Sequence, residues 1–516
     1  MFDVEANAAF WFVDRHAQGP RREHPAFVET GEAGRTLSYA QLGARAAKVG
    51  GLLAKAGVER ENRVALLMTD TADLPVVFWG AVKAGVVPAP LNTMLSGELY
   101  RTILTDCRAR VLFVSPELLP IVSPFLAELP ELRATFVIGP EFEAALAATE
   151  ARPTVAVSAD ECAFWLYSSG STGEPKGVRH AHASLRGTAD AYAAQVLGIA
   201  PDDVVFSAAK LFFAYGLGNG MTFPMSVGAT AVLYPGRPTP EAVLEVLARF
   251  RPSVFCGVPT LYAALNARLE AEGTKIGTAL RRCLSAGEAL PEEVGAKWAQ
   301  LSGCDILDGV GSTEMLHIFL SNRPGDVVYG TSGTAVPGYE LRLVDEHDCE
   351  VGEGEIGELL VKGRSAALDY FGRRDKSRAT FEGFWTRTGD KYEKLAGGRY
   401  RYCGRTDDMF KVSGIWVAPF EVEQALVSHS KVLEAAVIPA RDSDGLEKPK
   451  AYVVLKAGVA QDGVAAELQA HVKARVGLWK YPRWLTFVDD LPKTATGKIQ
   501  RFKLREPDEH RSPSTS

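Results

Sequence analysis

The stretch Tyr167-Ser168-Ser169-Gly170-Ser171-Thr172-Gly173-Glu174-Pro175-Lys176-Gly177 follows an apolar run, Ala163 to Leu166, that reads as a strand. Three glycines allow positive φ and close approach of the backbone to a ligand. Four hydroxyl side chains (Ser168, Ser169, Ser171, Thr172) and the backbone N–H groups of such a loop can surround phosphate oxygens. Lys176 adds a point charge. The GxxxxGK[ST] spacing of a Walker loop is absent. A glycine-serine surface turn is the plain alternative for this composition. The ordered layout of strand, hydroxyls, Gly, Pro, Lys and Gly favours an anion-binding loop.

Outward from this loop, helix and strand signals alternate. Ser38-Tyr39-Ala40-Gln41 has capping-box form, and Leu42, Ala46, Val49, Leu53 and Ala56 then share one helical face before Gly57. Strands are expected at Arg63–Met68, Val86–Pro90 and Val111–Ser115, with helices at about 72–84 and 97–107. The alternation returns from Asp203 to Asp308, so the large N-terminal part is expected to be α/β with parallel sheet. The runs Glu340–Asp345 and Gly357–Gly363, parted by VGEGEIG, predict a small antiparallel β subdomain. A boundary is expected near Arg405, dividing the chain into 1–404 and 405–516. The second part reads as a small α+β unit, with helices at about 420–427 and 465–476 and strands at 433–439, 451–456 and 484–488.

The chain has 516 residues, 47% apolar and 23% charged, with a net charge of −6. That charge argues against a nucleic-acid partner held by a general positive field. The seven cysteines are scattered, with none at CxxC spacing, which fits a reducing cytosol and supports neither a disulfide framework nor a zinc site. The N-terminus lacks the pattern of a secretory signal. Leu74–Leu91 is the most membrane-like stretch, but Pro75, Lys83, Pro88 and Pro90 make it read as a buried helix followed by a strand. No membrane partner is expected, the location is read as cytoplasmic, and the tail 506–516 is expected to be disordered.

Further motifs follow the loop in order: Lys210-Leu211-Phe212-Phe213-Ala214-Tyr215-Gly216; Ser285-Ala286-Gly287-Glu288-Ala289; Asp308-Gly309-Val310-Gly311-Ser312-Thr313-Glu314; Arg387-Thr388-Gly389-Asp390; Gly404-Arg405-Thr406-Asp407-Asp408 with Lys411 and Gly414; and Pro492-Lys493-Thr494-Ala495-Thr496-Gly497-Lys498. Over nearly its whole length the chain resembles the adenylate-forming superfamily of acyl-CoA ligases, luciferases and adenylation domains. KLFFAYGLGNG and GSTEMLHIFLSNRPGD resemble the benzoate–CoA ligase group. The resemblance implies a large α/β domain with a small mobile α+β C-terminal domain. It also implies use of ATP, Mg²⁺ and coenzyme A to convert an aromatic carboxylic acid (benzoate or a hydroxy-, amino- or halobenzoate) into its CoA thioester through an acyl-adenylate. The alternative is an adenylation protein that loads a phosphopantetheinyl carrier. A homodimer stays open.

The resemblance also assigns residues. Ser168, Ser169, Gly170, Ser171, Thr172, Gly173 and Lys176 fall on the nucleotide phosphates. Glu314, with Thr313 beside it, falls on Mg²⁺, and a hard carboxylate oxygen suits that ion. A glutamate opening a helix would be the structural alternative. Ala286, Gly287 and Glu288 with Asp308, Gly309 and Val310 fall on the adenine. Val310 departs from the tyrosine that most of the superfamily stacks on the base, so backbone has to hold it here. Asp390, following a Thr-Gly turn, and Arg405 fall on the ribose. The acyl pocket is assigned to Phe213, Ala214, Tyr215, Gly311, His317 and Ile318, with Ala214 and Gly311 expected to leave flat space for a ring. Asp407 takes the hinge position, Lys411 the segment facing the thiol, and Lys498 the position of the lysine that bridges carboxylate and α-phosphate.

Overall fold

Ser38 opens the first long helix, Tyr39–Lys55, through the expected capping box. The Gln41 N–H donates to Ser38 Oγ (3.3 Å), and the Ser38 N–H donates back to Gln41 Oε1 (2.9 Å). The computed structural model describes residues 2–31, 34–169, 174–277, 279–406, 408–412, 415–442, 445–493 and 499–505. Packing divides the chain into two units, Met1–Leu341 with Leu360–Thr388, and Arg342–Leu359 with Gly389–Ser516.

The larger unit holds the expected parallel sheets. Val87–Pro90, Arg63–Leu67, Val111–Val114 and Ala134–Val137 lie side by side, all parallel. The first and third are buried at every residue, as befits strands covered on both faces. Leu74–Leu91 resolves as expected into a wholly buried helix, Asp73–Lys83, and a strand. Among the described residues no helix is long and apolar enough to cross a membrane. A second sheet of nine strands has six parallel members in the order Ile306–Gly311, Arg282–Ser285, Val254–Gly257, Val204–Ser207, Thr230–Leu233 and Pro25–Glu29. Antiparallel strands close both edges. Ligands of such sheets gather at the carboxyl ends of the strands. Those ends here carry Ser285 and the run from Asp308 to Gly311.

In the smaller unit the helices Pro419–Val427 and Val464–Val476 and the strands Val432–Arg441, Glu447–Leu455 and Trp484–Phe487 form as expected. Val422, Leu426, Val437, Val453, Leu468 and Val472 make its core. Arg501 sits inside an ion network. It donates to both carboxylate oxygens of Glu423 (3.0 and 2.7 Å) and to Asp408 (3.4 Å), and Arg505 also reaches Asp408 (2.6 Å). Packing draws its line at Thr388/Gly389 rather than at Arg405, because Tyr400–Arg405 pairs antiparallel with 390–394 and so joins the smaller unit. All seven cysteines are free thiols.

Candidate active site

The loop that opened the sequence reading connects two antiparallel strands, Cys162–Ser169 and Pro175–Ala181, with Ser168 opposite Lys176 and Ser169 opposite Pro175. The hairpin fixes where the lysine starts. Lys176 Nζ lies 4.4 Å from the centre of the Tyr370 ring, and the Tyr370 hydroxyl donates to Glu314 Oε1 at 2.7 Å. Tyr370 therefore joins the two groups that the sequence assigned to phosphate and metal. No sequence spacing marks it, since it reaches the hairpin by a short strand, Asp369–Tyr370, beside Pro175–Ala181. Ser168 Oγ is buried and has no hydrogen-bond partner among the described residues.

Glu314 does not open a helix. It sits in a turn that runs from strand Ile306–Gly311 to strand Ile318–Ser321, with Leu316 N–H donating to Thr313 O and Ala367 N–H to Glu314 O. Leu316 takes φ +66°, a conformation that costs a leucine about 1 kcal/mol or more and is kept where surroundings enforce it. The turn is thus held tightly between Glu314 and His317. Glu314 keeps a second carboxylate oxygen for a cation. A carboxylate near hydroxyl groups suits Mg²⁺, which takes one or two carboxylates together with substrate phosphates and water. The described residues contain no group of three or more His, Cys, Asp and Glu able to cage a metal. The donor set therefore fits an ion that arrives with a nucleotide.

Asp308 is the last residue of its strand to pair in parallel, directly opposite Ser285 on the neighbouring one. Burial pushes its carboxyl well above the usual range. Asp308 Oδ1 and Ser285 Oγ make no well-formed hydrogen bond among the described residues, although the facing Ser285 hydroxyl and nearby backbone N–H groups offset part of the burial. These polar atoms lie beside Ala286-Gly287-Glu288, at the place assigned to the base. Ser285 is a member that the sequence reading did not assign.

The residues assigned to the acyl pocket centre on His317, which is 2% exposed. Its ring meets Tyr215 (5.7 Å between centroids), Tyr192 (5.5 Å) and Phe223 (4.4 Å). The Nε2–H donates to Tyr215 O at 3.3 Å, and burial lowers the imidazole pKa to about 3, so the ring is neutral. The Tyr215 hydroxyl donates to Gly257 O (3.1 Å), and Phe213 caps the short helix Ala214–Leu217 that carries it. Gly311 has a cause beyond the one expected. A Cβ there would come within 2.5 Å of His317 O and 2.8 Å of Ile318 N. The close approach of the returning strand by itself requires a glycine here. Gly218 likewise backs onto the His317 ring, where a Cβ would collide.

Asp390 and Arg405 are cross-strand partners within the smaller unit, with Arg405 Nη1 donating to Asp390 Oδ1 at 2.9 Å. Asp390 lies in the strand Trp385–Lys394 rather than after a free turn. Gly170, Ser171, Thr172, Gly173, Asp407, Gly414, Lys498 and the tail 506–516 lie outside the described residues, as do the side chains of Ser169 and Lys411.

Residues 13–371 match the AMP-binding enzyme family and residues 421–498 match the AMP-binding enzyme C-terminal domain. The chain is 53% identical to a 4-hydroxybenzoate–CoA/benzoate–CoA ligase of Rhodopseudomonas palustris, over 97% of this chain and 94% of that protein. It superposes on a benzoate CoA ligase from Burkholderia xenovorans LB400 with a TM-score of 0.90 and 49% identity, covering 97% of this chain and all of the other (100%). An anthranilate CoA ligase solved in complex with anthranoyl-AMP gives a TM-score of 0.92 at 41% identity, over 97% and 96% of the two chains. The chain belongs to the AMP-binding, adenylate-forming enzyme family and, within it, to the benzoate–CoA ligase group.

Proposed function

We propose that the chain joins the carboxylate of a benzoate-class acid to the α-phosphate of ATP, releasing pyrophosphate, and then transfers the acyl group to the thiol of coenzyme A, releasing AMP. The observation that carries this reading is the His317 cluster. Tyr215 and a neutral His317, backed by the buried rings of Tyr192 and Phe223, form an aromatic, uncharged cluster of a kind suited to a planar ring. The names of the relatives at 53% and 49% identity support the same substrate class.

In this reading Phe213, Ala214, Tyr215, Gly311, His317 and Ile318 hold the ring. Ser168 to Gly173 and Lys176 hold the phosphates, and the buried Ser168 hydroxyl gains a partner there. Ala286 to Glu288 and Asp308 to Val310 hold the base, while Asp390 and Arg405 take the ribose hydroxyls. Glu314, steadied by Tyr370, and Thr313 hold Mg²⁺, which supplies charge neutralisation at the phosphates. Lys498 bridges carboxylate and α-phosphate, because two anions repel until a cation lies between them. Asp407 is the hinge near 405–408, and Lys411 serves the thiol step.

ATP–pyrophosphate exchange across aliphatic and aromatic acids tests this. Benzoate-sized aromatic acids should support exchange and palmitate should not, and the adenylate should pass to free coenzyme A. Exchange with palmitate exceeding that with benzoate would overturn the substrate class. Transfer only to a phosphopantetheinyl carrier protein would overturn the acceptor.

A further inference from the structure

Asn219 lies in a π-helical turn, Gly218–Thr222, and is 1% exposed. Neither Oδ1 nor Nδ2 of its amide has a partner among the described residues. It follows Tyr215 by four residues and precedes Phe223 by four, a spacing that puts all three on one helical face. Both of those rings meet His317, and the adjacent Gly218 backs directly onto it. His317 Nδ1 is also buried without a partner. With Nε2–H committed to Tyr215 O, that Nδ1 carries a lone pair and acts as an acceptor.

Three buried polar atoms around the His317 cluster thus lack partners among the described residues. An unsatisfied buried group costs about 1–3 kcal/mol, so native proteins keep few of them, and π-helical turns are themselves rare and concentrated at functional sites. We propose that Asn219, with His317 Nδ1, recognises a hydroxyl or amino substituent on the ring of the acid. The proposal rests on the benzoate-class reading above and deepens it. A phenolic O–H can donate to His317 Nδ1 or Asn219 Oδ1 while its oxygen accepts from Asn219 Nδ2. An aromatic amine can donate to both acceptors. A methyl group satisfies none of the three atoms, and an anionic substituent meets no cation among these residues. An ordered water would also satisfy the amide, but would give no discrimination between substituents.

The test has two arms. On the unmodified enzyme, kcat/KM is measured for benzoate and for the hydroxy- and methylbenzoates substituted at each ring position. At one position the hydroxyl acid should exceed the methyl acid by about tenfold or more, the scale of one buried hydrogen bond. In Asn219→Leu the ratio of kcat/KM for that hydroxybenzoate to kcat/KM for benzoate should fall about 10- to 100-fold. The ligand-free variant should unfold at the same temperature as the parent or higher, because an unpaired amide is gone. Methyl acids matching or exceeding hydroxyl acids at every position would overturn the proposal, and so would an equal loss on benzoate and hydroxybenzoate in the variant. A lowered unfolding temperature with an unchanged ratio would assign Asn219 to a structural water. Absence of exchange with any benzoate, substituted or not, would instead overturn the function itself.

Discussion

Around His317 the larger unit buries Asn219 Oδ1, Asn219 Nδ2 and His317 Nδ1 without partners among the described residues, whereas around Arg501 the smaller unit surrounds one guanidinium with two carboxylates. The groups in the first region are neutral, and those in the second are charged and matched. Glu423, besides binding Arg501, accepts from Val437 N–H at 2.8 Å, so its ions are tied to the sheet as well as to each other. Unmatched polar atoms in a buried cluster leave hydrogen-bonding capacity for a ligand. Matched ions commit their capacity internally and hold a small unit with a limited core in one shape. The two regions therefore respond differently to substitution.

The largest effect is expected where matched charges are broken. Burial alone would lower the Arg501 pKa, but the Glu423 and Asp408 carboxylates push it up. Arg501→Met leaves Glu423 buried and uncompensated, which costs about 3–5 kcal/mol. Hydrogen exchange should show that loss in the amides of 432–441 and 447–455, which form the sheet beside Glu423. Unchanged protection there would mean that the network is ornamental and the contrast with the His317 cluster is empty.

A catalytic effect of about 10²-fold or more is expected in adenylation for Lys498→Ala, the scale of one transition-state charge contact. Lys498 precedes Arg501 by three residues. Synthetic benzoyl-AMP and coenzyme A should still give thioester at close to the parent rate. Equal impairment of both half-reactions would remove the assignment. A smaller change, about tenfold, is expected for Tyr370→Phe. Without the hydroxyl on Oε1, Glu314 loses its orientation, and outer partners of metal ligands typically matter by 10- to 100-fold. The Mg²⁺ concentration giving half-maximal exchange should rise while KM for benzoate holds.

The sequence made the scaffold legible where periodicity and caps agree. Ser38–Gln41, the buried run 74–91 and the alternation from 203 to 308 all formed as read. It was less informative where long-range contacts decide. Tyr370 lies 56 residues from Glu314, and nothing local marks it as the partner. Gly311 reads from the sequence as leaving room for substrate, and the structure adds a cause that no spacing shows, a strand returning too close for a Cβ. Asp390 and Arg405 are both assigned to the ribose, but nothing local in the sequence shows that they face each other across a hairpin. Asn219 sat in a quoted motif and went unassigned, because a missing hydrogen bond becomes visible only when burial is known.

The smallest effect sharpens the same contrast through acid. The larger unit buries neutral imidazoles, and burial lowers His16 and His182 to about 4 and His180 and His317 to about 3. The buried cation of the smaller unit is an arginine, which does not titrate in this range. His182 Nδ1 accepts from Ala8 N–H at 3.1 Å, so its lone pair fastens the N-terminal segment. Its ordinary value is 6.5. Between pH 6.5 and about 4 the unfolded chain holds a proton there that the folded chain lacks. Stability therefore falls as pH falls through that window, and nothing is lost above it. At pH 5.5 the cost is about 1 kcal/mol for this residue. Asp70 works in the opposite sense. Burial raises it to about 6, so the fold gains stability as that carboxyl takes up its proton. Whole-protein acid curves mix these terms, and a single substitution separates them. Asn at position 182 keeps an acceptor but does not titrate. His182→Asn should lose about 1 kcal/mol less stability than the parent between pH 7.5 and 5.5, measured by denaturant unfolding at each pH. Parallel stability curves for the two proteins would show that His182 takes up its proton alike in the folded and unfolded chain.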